Sequence, residues 1–276
     1  MKENLKRLFD YRELLFNLTR KEVKVKYKNS FLGFVWSLVN PLMMLVVFYV
    51  AFGIIFTVRG ADMRYYAFYL MAGILPWNFM SQTLSMGVGS VVNNGELVKT
   101  VYFPREVLPL SYLGSASFHF VLQEMMLIFF LIVFRVPLTP WIFMFPLLML
   151  LELAFIAGLT LLLSAWNVMF RDVSHFVEIL LMAWFWMTPI VYPIAQIKDT
   201  LPAWASQLYM FNPMTHLILM WQRIVYNSPV NGPRAYSMSL EGVLGTVACS
   251  IVLLMLGYYA FCRLEGRPSL IHISEP

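Results

Sequence analysis

The sequence predicts an all-α integral membrane protein with six transmembrane helices, an N-terminal amphipathic interfacial helix and a re-entrant helical hairpin before the last span. Of the 276 residues, 60% are hydrophobic and 13% are charged, whereas a soluble domain carries about 25% charged residues. Runs without any charge, such as residues 29–58 and 65–95, exceed the ~20 helical residues that cross a bilayer. The first 28 residues carry the whole net charge of +5.

Residues 1–30 are predicted to form a cytoplasmic segment that contains the interfacial helix. One apolar stripe recurs there at helical spacing: Tyr11, Leu14, Leu15 and Leu18. Basic residues cover the other face, a pattern typical of helices in the headgroup layer, and we expect them to include Arg20, Lys24, Lys26 and Lys28. Because an apolar run follows directly, membrane lipids are favoured over nucleic acid as the partner. The alternative is a positive flank that only sets topology.

Residues 31–265 are predicted to form one membrane domain. Its six spans are expected at residues 31–56, 65–90, 107–134, 141–168, 174–194 and 242–262. With six spans both termini share one side, and that side collects fourteen of the twenty Lys and Arg residues. The positive-inside rule therefore places both termini in the cytoplasm.

The apolar stretch 201–226 is predicted to be a re-entrant helical hairpin rather than a seventh span. Asn212 and Pro213 divide it into two pieces of similar length. Each piece has roughly ten residues, which is too short to cross a bilayer.

Motifs for catalysis are missing from the sequence. It contains no G-x-x-x-x-G-K-[S/T] phosphate loop, no CxxC pair and no G-x-S-x-G elbow, and these are the common signatures of nucleotide, metal and acyl-transfer sites. We therefore expect no catalytic, cofactor-binding or metal-binding residues on this chain, and any ATP chemistry must belong to another chain.

Three ionisable side chains fall within predicted spans: His119, Glu124 and Glu152. Such groups are expensive at membrane depth and mark either a function or a polar packing contact. Three alternatives stay open: a structural polar contact between the third and fourth spans, a protonated carboxylate, and a proton relay, which would need more partners.

Four segments together resemble a known family. They are KVKYKNSFLGFVWSLVNPL at 24–42, GILPW at 73–77, the loop 93–111 with its FPRE core at 103–106, and FRDV at 170–173. In their order and spacing they are similar to the permease subunit of ABC-2 type polysaccharide exporters, over residues ~10–265. The tail 266–276 departs from the family after Arg267, and 269–276 resembles translated vector sequence, so we expect this tail to be non-native.

The resemblance implies a homodimer in the bacterial cytoplasmic (inner) membrane that exports O-antigen, teichoic acid, capsule or a similar glycan on polyprenyl pyrophosphate. Each copy would bind one cytoplasmic ABC ATPase subunit, two in all, and those subunits would hold ATP and Mg²⁺. The residues implied to couple to the ATPase are Glu96, Lys99, Tyr102, Phe103, Arg105 and Glu106. A second cytoplasmic motif is formed by Arg171 and Asp172. The implied external gate in the hairpin comprises Trp204, Tyr209, Asn212 and Pro213.

Other functions remain as alternatives. One is an ABC-2 exporter of a drug or a small lipid. Another is a membrane glycosyltransferase acting on lipid phosphates, which would need clustered carboxylates, and the richest candidate around Asp172, His175 and Glu178 lacks a close carboxylate pair. A channel is disfavoured because no ring of charges or filter loop is evident.

Overall fold

The computed structural model describes residues 7–26, 28, 35–48, 50–51, 66–136, 140–194, 197, 200, 202–225 and 240–265. Every regular element in these ranges is helical, which confirms the all-α prediction for this part of the chain. The helices are α1 (Arg12–Lys26), α2 (Trp36–Phe48), α3 (Tyr66–Gly87), α4 (Ser90–Asn93), α5 (Gly95–Thr100), α6 (Val107–Val133), α7 (Phe145–Met169), α8 (Val173–Trp186), α9 (Ala203–Phe211), α10 (Pro213–Val225) and α11 (Leu240–Glu265). A 3₁₀ turn, Pro140–Met144, leads into α7.

Within the described ranges, three helical stretches are long and apolar enough to cross a membrane: Val107–Val133, Pro140–Met169 and Leu240–Leu264. They coincide with the third, fourth and sixth predicted spans, so the chain is a multi-pass membrane protein. The first predicted span contains α2, the second α3 and the fifth α8. Parts of the first span and the whole tail 266–276 lie outside the described residues. The count of six therefore stays a prediction.

Helix α3 occupies the centre of the bundle. Leu70, Ala72 and Leu75 are fully buried, because α6, α7, α8 and α10 all pack around this helix. On one side the ring of Phe79 stacks on Phe120 at a centroid distance of 4.8 Å. Large apolar side chains on α6, α7 and α11 instead face outward, as expected where a membrane protein meets lipid or another subunit.

Helices α7 and α11 approach each other most closely at two glycines. A Cβ atom added to Gly257 would meet the carbonyl oxygen of Gly158, and one added to Gly158 would meet the backbone of Leu253 and Leu254. Small residues allow this kind of backbone contact between membrane helices, where van der Waals packing drives association. The close packing of α7 against α11 therefore requires that positions 158 and 257 carry no side chain.

The N-terminal helix α1 packs on the protein itself. Its apolar stripe joins a cluster that contains Phe103 of the loop before α6, Val107 at the start of α6 and Phe261 near the end of α11. On the outside, Arg12 at the start of α1 lies over the ring of Phe9, which precedes the helix, with the guanidinium 4.7 Å from the ring centroid. The predicted stripe thus exists, but it is covered by protein rather than left for the membrane. The placement of α1 in the headgroup layer stays a prediction.

The stretch predicted as a hairpin forms two helices, α9 and α10, that meet at Asn212. Pro213 begins α10, a position where its missing N–H has no helical partner to lose. The inner face of α10 is buried, with Met214, Leu217 and Ile218 at zero exposure. The break is therefore where the sequence predicts it, while a re-entrant course through the membrane stays a prediction.

Candidate functional site

The loop between α4 and α6, residues 93–106, lies beside two clefts at one end of the bundle. The first cleft, about 560 Å³, is lined by Arg7, Tyr11, Val98, Val101, Tyr102, Phe103, Pro104, Arg105, Glu106 and Cys262. The second, about 550 Å³, is lined by Val92, Asn93, Asn94, Gly95, Glu96, Leu97, Lys99 and Arg171. All six residues predicted to couple to an ATPase thus line one of two neighbouring clefts.

Local hydrogen bonds shape this loop. The Asn94 side chain donates to the Ser90 carbonyl at 2.8 Å, and the Thr100 hydroxyl donates to the Glu96 carbonyl at 2.7 Å. Helix α5 ends at Val101, whose backbone is extended. Because successive side chains of an extended segment point to opposite sides, Tyr102 and Phe103 diverge.

The predicted coupling residues accordingly divide into two groups. Tyr102 is 88% exposed, and Phe103 is 5% exposed within the cluster beneath α1. Glu96 and Lys99 are exposed, Arg105 is half-buried and Glu106 is buried at the start of α6. In this conformation the exposed group, Glu96, Lys99 and Tyr102 on the outer side of the loop, presents its side chains to an incoming partner.

Arg171 and Asp172 are exposed in the turn between α7 and α8. The amide of Ser174 donates to the Asn167 side chain at 3.0 Å and holds this turn closed. Arg171 lines the second cleft together with Glu96 and Lys99. The structure therefore brings two motifs together that are more than sixty residues apart in the sequence.

The basic residues predicted for the interfacial helix differ in their surroundings. All four, Arg20, Lys24, Lys26 and Lys28, are exposed. Lys26 also donates to the Gln82 side chain of α3 at 3.1 Å, and desolvation lowers the pKa of its ammonium group below the usual value. Lys26 thus joins α1 to α3 at the surface of the bundle.

Asn212 is the polar centre of the predicted external gate. Its side-chain oxygen accepts from the Trp184 indole at 2.9 Å and from the amide of Met214 at 3.0 Å. Its side-chain nitrogen donates to the Thr188 hydroxyl at 3.2 Å. Trp204 is exposed, and Tyr209 and Pro213 are intermediate. The hairpin is therefore pinned to the end of α8 at the residue where its two helices meet.

The three intramembrane polar residues are buried in the bundle. His119 and Glu124 lie on α6, and Glu152 lies on α7. Glu152 accepts a hydrogen bond of 2.7 Å from the Trp221 indole of α10. Sequence analysis missed Trp221, because 69 residues separate the two partners and no local pattern joins them.

Comparison with known proteins places most of the chain in one family. Residues 13–226 match the model of the ABC-2 type transporter family. The chain belongs to this family. This ABC-2 transporter is 34% identical to the O-antigen export system permease protein RfbA of Myxococcus xanthus over 251 residues, which are 91% of the chain and 92% of the relative. It is 32% identical to the protein of the same name from Klebsiella pneumoniae over 248 residues, 90% of the chain and 92% of the relative.

Proposed function

We propose that this ABC-2 transporter is the transmembrane permease subunit of an exporter that moves lipid-linked polysaccharide across the bacterial cytoplasmic membrane. The observation that carries the proposal is similarity over about nine-tenths of the chain to proteins named O-antigen export system permeases. An O-antigen-like glycan on polyprenyl pyrophosphate is therefore the favoured cargo. Teichoic acid and capsule precursors come second, and a drug or small lipid third.

We further propose that ATP is hydrolysed by a separate ABC ATPase subunit docked on the two clefts. The sequence contains no phosphate-binding loop. The outer side of the 93–106 loop combines the exposed ring of Tyr102 with the charges of Glu96 and Lys99, and Arg171 from the α7–α8 turn adds a further charge beside the second cleft. Aromatic anchors provide binding energy and charges orient the partner. In the active complex two copies of the permease would bind two ATPase subunits.

Deleting the gene in its host bacterium tests the proposed function. Surface polysaccharide should disappear and lipid-linked glycan should accumulate inside the cell, because the glycan cannot cross the membrane unaided. A plasmid copy of this permease should restore export. Normal surface polysaccharide in the deletion strain would contradict the proposal, and a gain in drug sensitivity with unchanged polysaccharide would favour the drug exporter.

The proposed topology, with both termini in the cytoplasm, can be tested by cysteine labelling. In a variant without Cys249 and Cys262, single cysteines replace Tyr102 or Trp204, both of which are exposed. A membrane-impermeant maleimide added to intact cells should label position 204 and should label position 102 only after the membrane is opened. Labelling of position 102 from outside intact cells would show that the orientation is opposite to the proposed one.

A further inference from the structure

We propose that Glu124 and Glu152 form a buried carboxyl pair that holds at least one proton and, through the Trp221 indole, fixes α10 against α6 and α7. This inference does not rest on the proposed function.

Most of the carboxyl oxygens of Glu124 and Glu152 have no hydrogen-bond donor in the described part of the chain. Both side chains have zero exposure. Oxygen Oε2 of Glu152 accepts from the Trp221 indole. Oxygen Oε1 of Glu152 and both oxygens of Glu124 have no hydrogen-bond partner among the described residues. Three of the four carboxyl oxygens therefore lie in the interior without a donor from the described part of the chain.

The two carboxyl groups are joined through Trp221 and have no ion-pair partner among the described residues. Glu124 lies one helical turn from Phe120 on α6, and the Phe120 ring meets Trp221, whose indole donates to Glu152. The ion pairs found in the described ranges, Lys21–Glu22 and His175–Glu178, involve neither of them. Two charged carboxylates in this interior, with one indole donor and no cation among the described residues, would carry a large desolvation and repulsion cost. A proton on the pair removes one charge and supplies an O–H as a second donor.

The Trp221 ring contacts both of the helices that carry the two carboxyl groups, α6 and α7. Its ring meets Phe120 of α6 edge-on at 5.2 Å and Phe145 of α7 at 5.1 Å, measured between centroids. The side chain has zero exposure, so its N–H depends on a protein acceptor, and Glu152 is that acceptor. Apolar packing alone has no preferred direction, whereas this hydrogen bond fixes the rotation and depth of α10.

Infrared spectroscopy of the full chain in proteoliposomes tests whether the Glu124–Glu152 pair holds a proton. The parent should show the C=O band of a protonated carboxylic acid, and the double variant E124Q/E152Q should lose it. A parent spectrum without a band that this double variant removes would overturn the protonated pair. The measurement needs neither cargo nor ATPase, so its failure is distinguishable from failure of the proposed function.

Labelling of a buried reporter tests the role of Trp221. In the variant without Cys249 and Cys262, Met214→Cys places a thiol on the buried face of α10. E152L and W221F should each raise its labelling rate by roughly ten-fold, since a buried hydrogen-bonding group is left unpaired. E152Q should label like the parent, because its amide oxygen still accepts from the indole. Equal labelling in all three variants would overturn the fixing of α10. If E152L fails to fold while E152Q folds, folding itself requires a hydrogen-bond acceptor for the Trp221 indole at position 152, which supports the proposal.

Discussion

Substituting Gly257 with Ala is expected to destabilise the helix pair α7–α11, whereas the same substitution at Gly245 of the same helix should not. The new Cβ at position 257 would overlap the carbonyl oxygen of Gly158, and backbone atoms cannot move away by changing rotamer. The helices must separate, at a cost of about 1–3 kcal/mol for overpacking. Ala also gains about 1 kcal/mol over Gly within a helix, which offsets part of this loss at position 257.

Gly245 provides the matched control, because a Cβ atom there meets no atom of the described residues within 4 Å. Gly245→Ala should keep the parent's stability or gain up to about 1 kcal/mol from helix propensity. Thermal denaturation of the purified full chain in detergent, followed by the loss of monodisperse protein, measures both variants. If Gly257→Ala melts at the temperature of Gly245→Ala, the two helices do not depend on a glycine at their crossing.

Hydrophobic patterning predicts the long helices of this fold well. Stretches such as Val107–Val133 and Leu240–Leu264 contain more apolar residues than any soluble core could bury, so length and charge alone locate them. The pattern says less about what covers an apolar face. The stripe of α1 has the spacing of a membrane-surface helix, yet it packs on Phe103 and Phe261 of the same chain.

The contacts of the candidate site could be predicted only in part. Composition marked the 93–106 loop and Arg171 only as polar segments in a chain with few charges, and the resemblance to ABC-2 exporters implied their functional role. Which of two adjacent aromatic side chains faces outward depends on the extended backbone after Val101, and composition does not reveal it. The bonds from Trp221 to Glu152 and from Trp184 to Asn212 join distant segments. Such pairs become visible only when the helices are placed in space.

Truncating Tyr102 to Ala should weaken docking of the ATPase subunit and leave the fold of the permease intact. The ring is 88% exposed, so its removal creates no cavity within the chain. As an aromatic anchor in an interface it would contribute about 2 kcal/mol or more to binding. Copurification with the ATPase, transporter-stimulated ATP hydrolysis and polysaccharide export should all fall, while the melting temperature of the permease stays that of the parent.

Two further variants, Phe103→Ala and Phe143→Ala, distinguish a loss of docking from a loss of stability and from the removal of any exposed aromatic ring. Phe103 is buried beneath α1, so its truncation should destabilise the permease by about 3–5 kcal/mol and reduce the amount of folded protein before any effect on docking. Phe143 is 86% exposed on the 3₁₀ turn, outside the two clefts, and its truncation should change neither property. If Tyr102→Ala binds the ATPase and exports glycan as well as Phe143→Ala does, the ring is not an anchor. The docking energy must then come from Glu96, Lys99 and Arg171 around the second cleft, and charge reversal of these residues becomes the decisive measurement.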